Sequence, residues 1–414
     1  MENLKFSKKD LIINLTENNI QVYGYRWVVL LLFFFVNAVI QILWISYAPV
    51  TSQAQIYYNV GDALLIDLFS LTFMIAYIPI TFLASYLIDK YDFRVGASIG
   101  ALIMGVFGFL RFLAGRDFFL ALIFQLLIAI GQPFLLNSVT KLSANWFPET
   151  EKTTATGISL LSTYIGVALG SVLSPLLITG NDLTPMLLTF GILSLVSAFL
   201  FVVFAKDRPP TPPTSTEIEE KVFMFDGIKQ LFSNKYFLVL FAVFFVGLGV
   251  FNTMETYTGK IISNSEQAGL LGMIIIVGGV FGTMIMSILS DKLNKRKSLM
   301  IISLLITSIS LFVFSFMVDV VILLVLGFFF GFGLLGASPI ALEYAVDATK
   351  PVPEASSNGI LMMSGQIGGI IFIVAFEDLT LNGSYFPALI IQAILLLICT
   401  ILAFFIKEYK IRKE

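Results

Sequence analysis

The stretch LIDKYDFR, residues 87–94, closes one apolar run, and LSDKLNKR, residues 289–296, closes another. Their acids, Asp89 and Asp291, lie 202 residues apart. PETEKTTATGI (148–158) and PEASSNGI (353–360) each open a further apolar run, and Gly157 and Gly359 are again 202 residues apart. An offset shared by two unrelated landmarks predicts a chain built from two copies of one unit.

The runs between these landmarks are long enough to cross a bilayer. Apolar segments fall at 27–50, 63–88, 95–114, 118–144, 154–178 and 185–205, then at 236–261, 267–290, 298–317, 320–345, 356–376 and 385–406. About 20 such residues span a hydrocarbon core as a helix. Composition agrees: 57% of residues are hydrophobic and 13% charged, whereas a soluble domain carries about 25% charged residues. The first run is too long for the apolar region of a signal peptide and reads as a retained membrane helix. The proline- and charge-rich KDRPPTPPTSTEIEEK (206–221) separates the two sets of six. The expected organisation is an N-terminal segment 1–26, a six-helix bundle 27–205, a linker 206–235, a second bundle 236–406 and a tail 407–414.

Basic residues orient the chain. If the N-terminus is cytoplasmic and twelve spans alternate, 22 of the 25 Lys and Arg fall in cytoplasmic segments; only Arg111, Arg116 and Lys260 do not. One miscounted span would destroy that bias, because every later loop would change sides. Both termini are therefore expected in the cytoplasm, and the compact loops point to a plasma (cytoplasmic) membrane. The expected fold is all-α: twelve transmembrane helices in two pseudo-symmetric six-helix bundles, the architecture of the major facilitator superfamily. Residues 85–94 resemble that superfamily's G-x-L-a-D-R-x-G-R-R/K signature, with Ser85, Asp92 and Phe93 replacing both glycines and one arginine. Asp89, Lys90 and Arg94, with Asp291 in the second copy, are then candidates for a latch between the bundles, against the alternative of a solvated turn.

Several classes of chemistry are excluded. The chain has no histidine and one cysteine, Cys399, deep in an apolar run. That removes the commonest metal ligand and the usual base of a Ser-His pair. No metal site, cofactor, enzyme activity or nucleic-acid partner is expected, and a monomer is. Proton handling would fall to carboxylates.

Polar side chains within the apolar runs mark the candidate site, because they are costly at membrane depth unless they face protein or water. In ILWISYAP (42–49), at the end of the first run, Trp44 shares a stripe with Asn37, Gln41 and Ala48 at 100° per residue. The stripe faces a central cavity, or Trp44 belongs to the interfacial aromatic belt. Pro49 would loosen the helix end. The seventh run places Asn252, Glu255 and Gly259 on one face; Glu255 lines the same cavity, or pairs with Lys260 at its mouth. Gln125 and Gln132, near Pro133, share a face of the fourth run and serve as pocket or as helix-to-helix glue. The tenth run offers Pro339, Glu343 and Asp347, the last two as coupling or gating groups. The eleventh offers Asn358, Met362 and Gln366, beside close-packing glycines 365, 368 and 369.

Several stretches resemble the feline leukaemia virus subgroup C receptor-related transporters: VNAVIQILWISYAPV (36–50), IDLFSLTFMIAYIP (66–79), GQPFLLNSVTKLSANWF (131–147), LEYAVDATKPVPEASSNGI (342–360) and MSGQIGG (363–369). They include a W-[IL]-x-[YF] element ending in Tyr47, which is a further candidate substrate-binding residue. The resemblance implies transport of choline or ethanolamine, with haem export as a historical association. It implies an aromatic cage and two glutamines around a quaternary ammonium, carried here by Trp44, Phe251, Gln132 and Gln366. Glu255 departs from the family pattern and favours a cation, with protons as a coupling ion. The expected function is alternating-access transport of a small organic cation such as choline, ethanolamine or a related amine. Alternatives are a haem exporter or multidrug–proton antiporter of the same fold, and a non-transporting membrane receptor.

Overall fold

The structure is a computed structural model, describing residues 22–61, 63–211, 224–261, 265–378 and 386–408. Most of the N-terminal segment, the middle of the linker, the tail beyond Lys407 and Glu408, and the Lys260 side chain lie outside the described residues. Fifteen α-helices are described: α1 Tyr25–Ile45, α2 Thr51–Tyr58, α3 Ala63–Tyr91, α4 Phe93–Leu113, α5 Phe118–Leu136, α6 Val139–Trp146, α7 Lys152–Leu177 and α8 Thr184–Phe204 in the first part of the chain. The second part holds α9 Met224–Ser233, α10 Lys235–Ile261, α11 Ser265–Leu293, α12 Arg296–Phe314, α13 Val320–Thr349, α14 Glu354–Asp378 and α15 Phe386–Phe404. Among the described residues, eleven helices are long and apolar enough to cross a membrane. The 25-residue α14 is the remaining long helix, rich in glycine and polar side chains.

Helix ends obey local chemistry, and they repeat. Asp117 caps α5 by accepting from Leu120 N (3.0 Å), and Asp319 caps α13 by accepting from Val321 N (2.9 Å) and Ile322 N (3.1 Å); a short side-chain acceptor supplies what the first helical turn lacks. These two acids are 202 residues apart, like Asp89 and Asp291. The turns after α3 and α11 both use a positive φ, at Asp92 (76°) and Asn294 (57°), again 202 apart. Asp92 replaces a signature glycine, so the backbone there still adopts a conformation that favours glycine. Its carboxylate bonds Phe93 N (3.0 Å) and offsets part of that cost.

Two expected spans are broken. α1 ends at Ile45, ahead of Pro49, which instead starts a 3₁₀ turn, Ala48–Val50, leading into α2. The fourth span divides into α5 and α6 at Asn137–Ser138, four residues beyond Pro133. Proline removes a backbone donor and crowds the turn before it, which accounts for α1 ending ahead of Pro49; the α5–α6 break instead follows Pro133 by a turn, with Asn137 N still bonded to Pro133 O (3.0 Å).

Glycines weld neighbouring helices together. A methyl group on Gly278, Gly282 or Gly331 would overlap the carbonyl oxygens of Phe328, Phe332 and Ile275, so α11 and α13 touch backbone to backbone. Gly368 is pressed on the Phe245 carbonyl (α10–α14), and Gly166 on the Ala38 carbonyl (α1–α7). A backbone cannot swing aside as a side chain can. Gly331→Val is therefore expected to destabilise the protein by about 1–3 kcal/mol, read as a lowered melting temperature in detergent. Wild-type stability of that variant would contradict the seam.

Candidate functional site

Around the middle of α1 the expected stripe divides. Asn37 is fully buried and donates through Nδ2 to Ser162 Oγ (2.7 Å) and Thr163 Oγ1 (3.0 Å), so it ties α1 to α7. Gln41, also buried, accepts from Gln132 Nε2 (3.2 Å), joining α1 to α5. Trp44 is half-buried, and its indole N–H donates to Ser70 O of α3 (3.2 Å). Tyr47 lies beyond the end of α1. It is fully buried, stacks on Phe69 with centroids 4.1 Å apart and shares a hydrogen bond with Tyr58 (2.8 Å). It is therefore part of an internal aromatic cluster.

On the other side, Phe251 of α10 packs against a cluster built from Leu161 and Tyr164 of α7 and Leu335 of α13, with Phe34 of α1 also against it. Asn252 meets Gly369 of α14, and Met74 of α3 reaches the same glycine. Phe251, Asn252, Glu255 and Gln366 are all half-buried. Gln125 turns elsewhere: it is fully buried, donates to Leu43 O and Phe69 O (3.2 Å each) and accepts from Arg111. Two small cavities, about 10 and 20 Å³, lie beside Ser85 and Ser356 and between α10, α12 and α13; none of the expected substrate residues lines either.

The end of the bundle that carries the basic loops is closed by reciprocal contacts. Asp89, at the end of α3, accepts from Ser356 N (3.0 Å), Ser356 Oγ (2.6 Å) and Ala355 N (3.3 Å) and so caps α14. Asp291, at the end of α11, accepts from Thr154 N and Oγ1 (2.7 Å each) and caps α7. Each carboxylate sits where the helix dipole favours negative charge. Ser85 donates to Ala355 O (2.9 Å), Asn358 to Thr140, and Lys141 pairs with Glu354 (3.0 Å). Thr156 donates to the buried Glu343 (2.5 Å), whose other oxygen lies 3.8 Å from Arg296; Arg296 also pairs with Asp347.

Lys90 and Arg94 do not join Asp89. The exposed Lys90 ammonium rests over Tyr86 and Tyr91, and Arg94 donates to Val202 O (3.2 Å) at the end of α8. Beside them Asp92 accepts from Asn145 Nδ2 (2.6 Å) and Arg208 Nε (2.6 Å), strapping the chain after α8 to the α3–α4 turn. Burial pushes the Asp92 carboxyl up, but the Asn145 bond and the positive Lys141 and Arg208 outweigh it and hold the group below the usual carboxylate range. Burial and the charge of Asp92 push neighbouring Asp207 the other way.

Arg111 and Asn137 are the residues that sequence reasoning passed over. Arg111 lies inside the third apolar run and is fully buried, a signal that the rule applied to Glu255 would have caught. Asn137, at the α5–α6 break, accepts from Tyr77 OH (2.6 Å) and donates to Thr81 Oγ1 (2.8 Å) and Ser85 Oγ (3.0 Å).

The Major Facilitator Superfamily model matches residues 27–372 and, in a second alignment, 260–414. The chain belongs to the Major Facilitator Superfamily. It is thus an integral, multi-span membrane transporter, and the superfamily is not a catalytic one. The superfamily fold is also that of FucP in its outward conformation (TM-score 0.77, 15% identity, 93% of this chain and 99% of that one). A bacterial homologue of the iron transporter ferroportin shares it too (TM-score 0.72, 14% identity, 92% and 99%). Curated relatives include the choline/ethanolamine transporter flvcr2b of Danio rerio, 28% identical over 90% of this chain and 82% of the relative. Solute carrier family 49 member A3 of Xenopus tropicalis is 28% identical over 87% and 79%.

Two outcomes follow from this geometry. Asp89→Ala or Asp291→Ala removes a cap of about 0.5–2 kcal/mol and is expected to lengthen the distance between spin labels at exposed positions 91 and 293. An unchanged distance distribution would show that the caps do not hold that end closed. Asp92→Asn is expected to lower stability at neutral pH by roughly 1 kcal/mol. The depressed carboxyl contributes stability above its ordinary value near about pH 4 and loses it as pH falls through the lower folded value. Melting curves of wild type and variant should therefore converge in acid.

Proposed function

We propose that this protein is an alternating-access transporter of a small organic cation such as choline, ethanolamine or a related amine. Its basic end lies in the cytoplasm and is closed in the structure. Trp44 carries the reading: a half-buried indole inside an apolar helix, its N–H engaged by Ser70 O, beside the Gln41–Gln132 pair. A quaternary ammonium has no N–H to donate, so the face of an aromatic ring is its natural partner, worth up to about 2 kcal/mol when desolvated. Phe251 supplies a second ring from the opposite half. Gln132 uses an amide N–H toward Gln41, which leaves its carbonyl, with that of Gln366, to orient a substrate hydroxyl. Relatedness to a choline/ethanolamine transporter along 90% of the chain supports the same substrate class.

Asn252 and Glu255 lie one helical turn apart on α10 and add polar character that favours a cation over an anion. A carboxylate at this depth can exchange its proton for a bound cation, which couples the two without any other titrating side chain. Rocking of the halves about this site would expose it to each side in turn, with the two caps among the contacts that must break.

Purified protein in liposomes is expected to take up labelled choline or ethanolamine saturably. Trp44→Ala should weaken binding by at least about tenfold, the loss of one desolvated cation–π contact. Glu255→Gln should flatten the pH dependence of uptake while leaving choline binding measurable. Absence of saturable uptake for every organic cation tried would overturn the reading.

A further inference from the structure

Arg111 occupies a place that stability alone does not explain. It is fully buried at the end of α4, and among the described residues no carboxylate is paired with it. Its Nε and Nη2 make no hydrogen bond among the described residues. Breaking or omitting the partner of a buried charge is strongly unfavourable, and an apolar residue of similar size would cost less. What the guanidinium touches indicates a different use.

α1 stops at Ile45, so the carbonyls of its last turn lack partners along the helix. Leu43 O is one of them. It accepts from Gln125 Nε2 (3.2 Å), Arg111 Nη1 (3.4 Å) and Ser46 Oγ (2.9 Å). Arg111 in turn donates to Gln125 Oε1, which fixes the amide's orientation, and it lies 5.2 Å over the Tyr47 ring. With its oxygen held, Gln125 points its N–H₂ group at two carbonyls, Leu43 O of α1 and Phe69 O of α3 (3.2 Å). Leu43 immediately precedes Trp44, and Phe69 immediately precedes Ser70, whose carbonyl receives the indole N–H. One buried amide thus locks both backbone segments on which the indole depends. Tyr47, stacked on Phe69, closes the other side of the same junction. The negative ends of the α1 and α4 dipoles also meet the cation here, which explains how it is tolerated without an acid.

We propose that Arg111, acting through Gln125, is a positioning residue that sets the orientation of Trp44 toward the transported cation. The inference rests on the reading of Trp44 as part of the substrate site. Arg111 touches no substrate itself. Its contribution is to remove freedom from the indole before the cation arrives, so its loss is felt in affinity more than in maximal rate.

The test uses full-length protein in which Trp27→Phe and Trp146→Phe leave Trp44 as the sole tryptophan. Arg111→Gln is expected to shift the emission of Trp44 to longer wavelength and to raise its quenching by acrylamide severalfold, with no ligand present. In liposomes the same variant should raise the KM for choline about tenfold, the scale of one hydrogen bond to a charged group, with the maximal rate held within about twofold. Phe201→Leu, a substitution in the buried core of α8 chosen to lower thermal stability comparably, should leave emission, quenching and KM unchanged. Should Arg111→Gln fail to fold, Gln125→Leu is measured in its place, with the same expectation. Unchanged Trp44 emission and quenching, or an equal change with Phe201→Leu, overturns the proposal. If wild-type protein takes up no choline, the substrate reading falls, while the ligand-free fluorescence still decides whether Arg111 positions the indole.

Discussion

Two carboxylates, each at the end of one helix, hold the first turn of a helix in the opposite half. Asp89 on α14 and Asp291 on α7 make the same contact twice, and the other polar links at that end gather around them. A helix N-terminus exposes N–H groups that nothing within the helix can satisfy. At the rim of a membrane protein these groups can turn to water or to an acid. Choosing the acid couples the position of one half to the other, and water can replace the acid at modest cost. The rest of the architecture depends on this exchangeable contact.

The duplication does not preserve charge. Lys141 and Glu343 occupy equivalent positions, 202 residues apart, yet one is basic and the other acidic. Lys141 reaches across to Glu354 at the start of α14, whereas Glu343 takes the Thr156 hydroxyl from α7 and leans on Arg296 of its own half. The backbone scaffold is therefore symmetric while the electrostatics of its two seams are not. One seam is an ion pair, and the other is a hydroxyl on a buried acid.

Much of the fold was legible because lipid leaves few options: apolar length, basic loops and a constant offset suffice to count and order the helices. Asp89 and Asp291 were legible because they recur. The partners of Lys90 and Arg94 were not, since a flexible cation at a helix end settles on whichever aromatic ring or carbonyl is near, and sequence spacing does not encode that choice. Tyr47, expected beside Trp44 in the substrate site, lies instead in the aromatic cluster with Tyr58 and Phe69, because α1 ends two residues before it and the chain turns there. Asn137 was missed because nothing in the fourth apolar run marked it as the point where α5 gives way to α6 and where Tyr77, Thr81 and Ser85 converge. Arg111 escaped because it stands three residues from the end of its apolar run, where a cation can equally serve a loop, although its place within the run was the available signal.

Some of the close-packed glycines differ in what they meet across the seam. Within a half, at Gly166, Gly278, Gly282, Gly331 and Gly368, the neighbour across the seam is a carbonyl oxygen of the main chain. Between halves, at Gly157 and Gly359, the neighbours include the hydroxyl groups of Ser287, Ser85 and Thr81. A hydroxyl rotates about one bond and finds water when its neighbour leaves, whereas a main-chain oxygen moves only with its helix. The first set of seams behaves like glue between planks and the second like a clasp. Parting the halves at these positions disturbs side chains, whereas parting helices within a half disturbs main chain.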